Sequence, residues 1–266
     1  MLKKFIAISV CFILILVPTI AMAAGNLNYS KEKQIREHVT SLLSGDIEPT
    51  IEDSTISCVE DIVSIEEPRN FTNNNEDGVT ITDNDTALDV IQLEDGSYLA
   101  TALVSNEYEL TNSNGIGGAS TFSNTALHEK TFSDVTVALS INYNTYHYEH
   151  GAIYADYAKA NTYYIAYQRT GDPQMYCSKL ALEGQYWGRM YDNAHNWLTT
   201  VGVTTSATRT VTSPTKGTTY SKAANQTYYS EIPTGEVKGI LNFTVKRRNS
   251  DYSGNSVLVM NISDIL

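Results

Sequence analysis

Val135, Val137, Leu139, Ile141 and Tyr143 alternate without a break with Thr136, Ala138, Ser140, Asn142 and Asn144. Successive side chains on an extended strand point to opposite faces, so this run is a long strand with one apolar and one more polar side. A helix would scatter the same residues around its axis and bury none of them efficiently. The period of two therefore fixes the C-terminal half as sheet.

Further segments from 132 onward carry the same character. They are Thr162 to Gln168, Met175 to Glu183, Leu198 to Thr212, Gln226 to Glu231, Val237 to Arg247 and Ser256 to Ile262. Turn-forming clusters such as Thr170-Gly171-Asp172-Pro173 and residues 250–255 separate several of them. No helical pattern intervenes. The spacing thus predicts an antiparallel β-sandwich over 132–266, because parallel strands would need long crossovers.

The preceding region reads differently. Ser30 is placed to cap a helix whose apolar residues Ile35, Val39, Leu42 and Leu43 share one face, and Gly45 stops it. Ala87 to Leu93 and Tyr98 to Tyr108, joined across Glu94-Asp95-Gly96, predict a hairpin. The expected fold class is mainly β, with a small α+β region at 25–110 and a linker rich in Asn, Gly, Ser and Thr at 111–131 leading to the Tyr-rich sandwich at 132–266. Charge and tyrosine content separate the two parts. Residues 25–131 hold 5 Lys/Arg, 20 Asp/Glu and 3 Tyr, whereas 132–266 hold 11, 10 and 15.

Residues 1–24 open with Lys3 and Lys4, continue with an apolar run from Phe5 to Val17, and end in Ala21-Met22-Ala23-Ala24. This is the arrangement of a cleavable secretory signal, and its apolar core falls short of the roughly 20 residues a spanning helix needs. The expectation is a protein secreted from a bacterium, with no permanent membrane span after cleavage. Without Lys3 and Lys4 the chain has 16 basic and 30 acidic groups, a formal charge of −14, which disfavours a nucleic-acid partner. Cys58 and Cys177 would remain in the mature chain, either paired by a disulfide in an oxidising compartment or as two thiols.

Catalytic and metal motifs are weighed and set aside. On a strand, His147 and Glu149 share one face while His150 takes the other, so His147-Tyr148-Glu149-His150 converges too few ligands for zinc. Asn73, Asn75, Asp77 and Gly78 resemble half a calcium loop, but Asn84 stands where the closing Glu belongs. Gly115-Ile116-Gly117-Gly118 lacks the lysine and helix of a phosphate cradle. No nucleophile elbow is present, and no cofactor, metal or catalytic residue is expected. A secreted hydrolase using two of Asp156, Asp172, Glu183 and Asp192 is the enzymatic alternative.

The aromatic content carries the functional expectation. Tyrosine presents a flat apolar face and a polar tip, suited to sugar rings and protein surfaces alike, and also forms strands readily. Tyr186, Trp187 and Tyr191 lie in a glycine-containing segment and are the expected ligand-binding residues of a non-catalytic module for a carbohydrate or protein surface. Two toxin-like alternatives remain. The acidic first half is placed to act as a removable proregion, and the hydroxyl-rich even positions of 200–212, set against Val201, Val203, Ala207 and Val211, would suit a pore strand.

Overall fold

The computed structural model describes residues 29–50, 63–66, 78–112, 129–150, 153–232, 234–248 and 252–266. The leader 1–24, Cys58, Asn73 to Asp77 and the glycine run at 115–118 lie outside the described residues. One helix, α1, spans 29–44. The strands are β1 (Val63–Glu66), β2 (Gly78–Gln92), β3 (Tyr98–Asn112), β4 (Glu129–His150), β5 (Ile153–Arg169), β6 (Met175–Tyr191), β7 (Trp197–Thr212), β8 (Tyr220–Ala223), β9 (Tyr229–Ile232), β10 (Glu236–Arg247) and β11 (Tyr252–Asn261). Every pairing among them is antiparallel.

Among the described residues the fold is mainly β with one α-helix, and the strands form one continuous curled sheet, a half-barrel. Its order is β1-β11-β10-β6-β9-β5-β4-β3-β2, with β7 added to β6 and β8 to β5. The four-residue β9 keeps the sheet continuous, because it pairs with β5 at Asp156 to Ala158 and with β6 at Met190 and Tyr191. The curl brings β4 over β10, where the Leu139 and Ile141 side chains crowd Gly239. The apolar residues of the founding alternation, Val135 to Tyr143, are all buried in the main core with Leu180, Leu182, Leu241, Phe243 and Leu258.

β4 and β5 run well beyond their period-two segments, and one irregularity explains why. Asn142 pairs with Thr162 while Tyr143 pairs with Ala160, so Asn161 is an extra residue on β5. Such a bulge shifts the alternation by one position and hides the continuing strand from a pattern search. The Asp95-Gly96 turn forms as expected, with Gly96 at φ 81° and the Leu93 amide donating to the Ser97 carbonyl at 2.8 Å.

α1 lies on the other face of the sheet. Ile35, Val39, Leu42 and Leu43 are buried against Leu99, Leu103, Ala138, Tyr164 and Ala166, which makes a second core. Burying each of these four side chains contributes about 2 kcal/mol before ordering costs. Polar contacts fix the start of the helix. Lys31 Nζ donates to Asp95 Oδ2 at 2.7 Å, Tyr164 donates its hydroxyl to Glu32 Oε2 at 2.7 Å, and the Arg36 guanidinium reaches the Thr219 carbonyl and Ser221 Oγ.

Candidate functional site

The bulge at Asn161 also builds a site. Cross-strand partners share a face, so Asn142 with Thr162, Asn144 with Lys159 and Tyr146 with Tyr157 form one row along β4 and β5 on the side that carries α1. α1 covers one part of this face and stops short of the row. The result is a polar cavity of about 290 Å³ lined by Lys31, Glu32, Asn142, Asn144, Asn161, Thr162 and Tyr164.

Most polar groups of the cavity are already committed. Asn142 Nδ2 donates to Ser97 Oγ and to the Tyr98 carbonyl, both at 2.9 Å. Asn161 Nδ2 donates to Asn144 Oδ1 at 2.5 Å and to Asn142 Oδ1 at 3.3 Å. Glu32 is held by Arg36 and by Tyr164, and Lys31 by Asp95 and Ser97. These bonds orient Asn144 by its oxygen, and its amide nitrogen has no hydrogen-bond partner among the described residues.

Beyond Lys159 the same face becomes aromatic. Tyr146 is stacked between Tyr157, at 4.4 Å between ring centroids and 10° between planes, and His195, at 3.8 Å and 14°. Tyr229 meets Tyr146 edge-on at 4.9 Å, and Tyr191 meets Tyr157 edge-on at 4.8 Å. Lys159 Nζ lies 4.6 Å from the Tyr229 centroid and joins the aromatic group to the asparagines. Tyr191 donates its hydroxyl to Glu231 Oε2 at 2.9 Å, and burial, reinforced by that carboxylate, pushes the phenol up to about 12. Burial also raises Tyr146, whose hydroxyl oxygen is buried and has no hydrogen-bond partner among the described residues.

His195 belongs to the loop between β6 and β7 and sits in the left-handed region at φ 68°. That conformation costs a non-glycine residue on the order of 1 kcal/mol, so the loop must be held by compensating hydrogen bonds. Asp192 Oδ1 accepts the Ala194 amide at 2.8 Å and the Asn196 amide at 2.9 Å, and the Asn196 side chain reaches Oδ2 at 3.1 Å. The Asn196 bonds, backbone first, keep the Asp192 carboxyl below its ordinary range. A lowered value means that the clamp holds above about pH 4 and is released only in stronger acid. Asp192→Ala is expected to free the loop, unstack His195 from Tyr146 and speed amide exchange across 193–199, while the rest of the sheet keeps its protection. Unchanged exchange in that loop would show that the clamp is not what holds it.

The three residues expected to bind ligand are placed differently from one another. Tyr191 joins the aromatic group. Tyr186 packs against the main core, and Trp187 is half-buried with Lys238 Nζ 5.1 Å from its ring centroid. Neighbours on a strand face opposite ways, which separates Tyr186 from Trp187. Tyr146, Tyr157, Tyr229 and His195 are brought together by β4, β5, β9 and the β6–β7 loop. Only the tyrosine crowding hinted at this group. Asn142 and Asn144 were visible as the polar side of the alternation.

Cys177 is a buried thiol on β6 whose Sγ lies 3.3 Å from the Lys179 carbonyl, and burial pushes it up to about 12. His147 Nδ1 is 2.7 Å from Asp156 Oδ1, and among the described residues no three His, Cys, Asp or Glu converge as a metal site. The four acids weighed for catalysis have separate partners. Asp156 meets His147, Asp172 Oδ2 accepts Arg247 Nε at 2.9 Å, Glu183 meets Gln185 and Thr205, and Asp192 clamps its loop. Among the described residues no helix is long and apolar enough to cross a membrane.

No family model matches this chain, and neither a curated protein nor a solved structure is similar to it.

Proposed function

We propose that the protein is a secreted, non-catalytic binding module that recognises a carbohydrate through the row from the asparagine cavity to the aromatic group. The supporting observation is the contiguity of two complementary surfaces on one face. Asn144 and Asn161 sit in an open polar cavity, and Lys159, Tyr229 and the exposed His195 follow along the same row. Sugar rings have hydroxyls at their rims and apolar C–H faces, which fits amides beside aromatic rings. The net charge of the cavity is small, since Lys31 is neutralised by Asp95 and Glu32 by Arg36, which favours an uncharged ligand. On the opposite side of the sheet from this face, the two leaves of the half-barrel, β2–β5 against β6 with β10 and β11, would serve as the layers of a sandwich around the main core.

Asn144→Ala removes the free amide and leaves Asn161 bonded to Asn142. In a glycan array and in pull-downs of polysaccharide from the producing cell's envelope, this variant is expected to lose about tenfold in affinity, the equivalent of one or two good hydrogen bonds. Its thermal unfolding should be close to that of the parent. Blank arrays and pull-downs with the parent protein, or equal binding by Asn144→Ala, would remove this reading.

A further inference from the structure

We propose that the carbohydrate carries a carboxylate, and that Asn144 and Lys159 clamp it where the cavity meets the aromatic group. This rests on the carbohydrate reading and adds the class of sugar, a uronic acid, beside the uncharged unit held in the cavity. Asn144 on β4 and Lys159 on β5 are cross-strand partners, so their β-carbons lie about 5 Å apart on one face. Asn144 offers an amide nitrogen with no hydrogen-bond partner among the described residues, its oxygen being taken by Asn161. Lys159 offers an ammonium with several N–H groups, of which one reaches Asn193 Oδ1 at a long 3.5 Å.

Charge singles this lysine out. The other cations around the site are neutralised, Lys31 by Asp95 at 2.7 Å, Arg36 by Glu32 at 2.6 Å and Arg189 by Glu231 at 3.7 Å. Among the described residues no carboxylate pairs with Lys159, and its ammonium rests 4.6 Å from the Tyr229 centroid instead. The ring steadies the cation without cancelling its charge. Lys159 also stands outside the lining of the cavity, so the neutral walls and the positive charge meet successive parts of the ligand.

The formal charge of −12 does not oppose an acidic ligand at this place. Residues 132–266, which supply β5, β6, β9 and most of β4, hold 11 Lys/Arg and 10 Asp/Glu, so the excess acid belongs to the residues before them. At physiological salt, exposed charges beyond about 8 Å are largely screened. Two donors side by side, one of them charged, match the paired oxygens and single charge of a carboxylate, and such charge-assisted bonds are the strong ones.

Titration calorimetry tests this with oligomers of polygalacturonate, alginate and hyaluronan, each measured beside the same oligomer after its carboxyls are reduced to alcohols. In at least one pair the acid form is expected to bind about tenfold more tightly than the reduced form. Lys159→Gln should abolish that preference and Lys159→Arg should keep it. Lys216→Gln, which removes an exposed charge elsewhere, should leave it unchanged. Equal binding of acid and reduced forms in every pair, or a preference that Lys159→Gln leaves intact or Lys216→Gln lowers equally, would overturn the proposal while the carbohydrate reading stands. Absence of binding by either form in all pairs would overturn both.

Discussion

Gly235→Ala is expected to destabilise the protein by about 3 kcal/mol, which for a chain of this size lowers the melting temperature by roughly 6–12 °C. A β-carbon there would lie 2.2 Å from the Trp187 carbonyl oxygen, 2.9 Å from Gly188 Cα and 3.0 Å from the Glu231 carbonyl oxygen. All three are backbone atoms, so no side chain can swing aside. The close approach seats the β9–β10 connection on β6, and β6 carries Tyr191 into the aromatic group. Differential scanning calorimetry would measure the loss, and near-UV circular dichroism would show the tyrosines loosening with it. Gly202→Ala is the control, since a β-carbon at that position meets nothing within 4 Å. Equal melting temperatures for the two variants would contradict the packing described for β6.

Alkali should unfold the protein abruptly between about pH 10 and pH 12. Burial raises the phenols of Tyr108, Tyr143 and Tyr163 to about 12. An unfolded tyrosine ionises near pH 10. Below that value both states keep the proton and stability is flat. Above it the unfolded chain releases protons that the folded chain retains, so stability falls steadily until the folded value is reached. Three phenols, each shifted by about two units, remove on the order of 2–3 kcal/mol apiece by pH 12, comparable with the whole stability of a typical domain. Absorbance at the phenolate band should rise in two waves, first the exposed tyrosines and then a cooperative step coincident with loss of the near-UV signal. A single smooth titration centred near pH 10 with the fold intact would show that these rings are not sealed in the core.

The part of this fold legible in the sequence is the part governed by local periodicity. The Val135 to Tyr143 alternation, the α1 face and the Asp95-Gly96 turn each announce themselves within a few residues. The bulge at Asn161 does not, because it depends on how β4 and β5 slide past each other, and it breaks the pattern that would have revealed the length of those strands. The continuity of the sheet also escapes local reasoning. β9 is four residues long, and its role comes from pairing with two strands distant in sequence. The candidate site shares this non-local origin. Tyr146, Tyr157, Tyr229 and His195 come from four elements, and Tyr186 shows that aromatic residues adjacent in sequence need not share a surface. His195 in particular enters through a left-handed loop residue and an aspartate clamp, neither of which stands out in a run reading Asp192-Asn193-Ala194-His195-Asn196.

Side-chain amide and aromatic chemical shifts, followed by NMR while the protein is titrated with envelope oligosaccharides, test the central claim most directly. The account predicts that Asn144, Asn161 and Tyr229 shift together on saturation while Trp197 and Val203, on the far edge of β7, stay in place. Saturable shifts confined to another face, with those three residues unmoved, would contradict it.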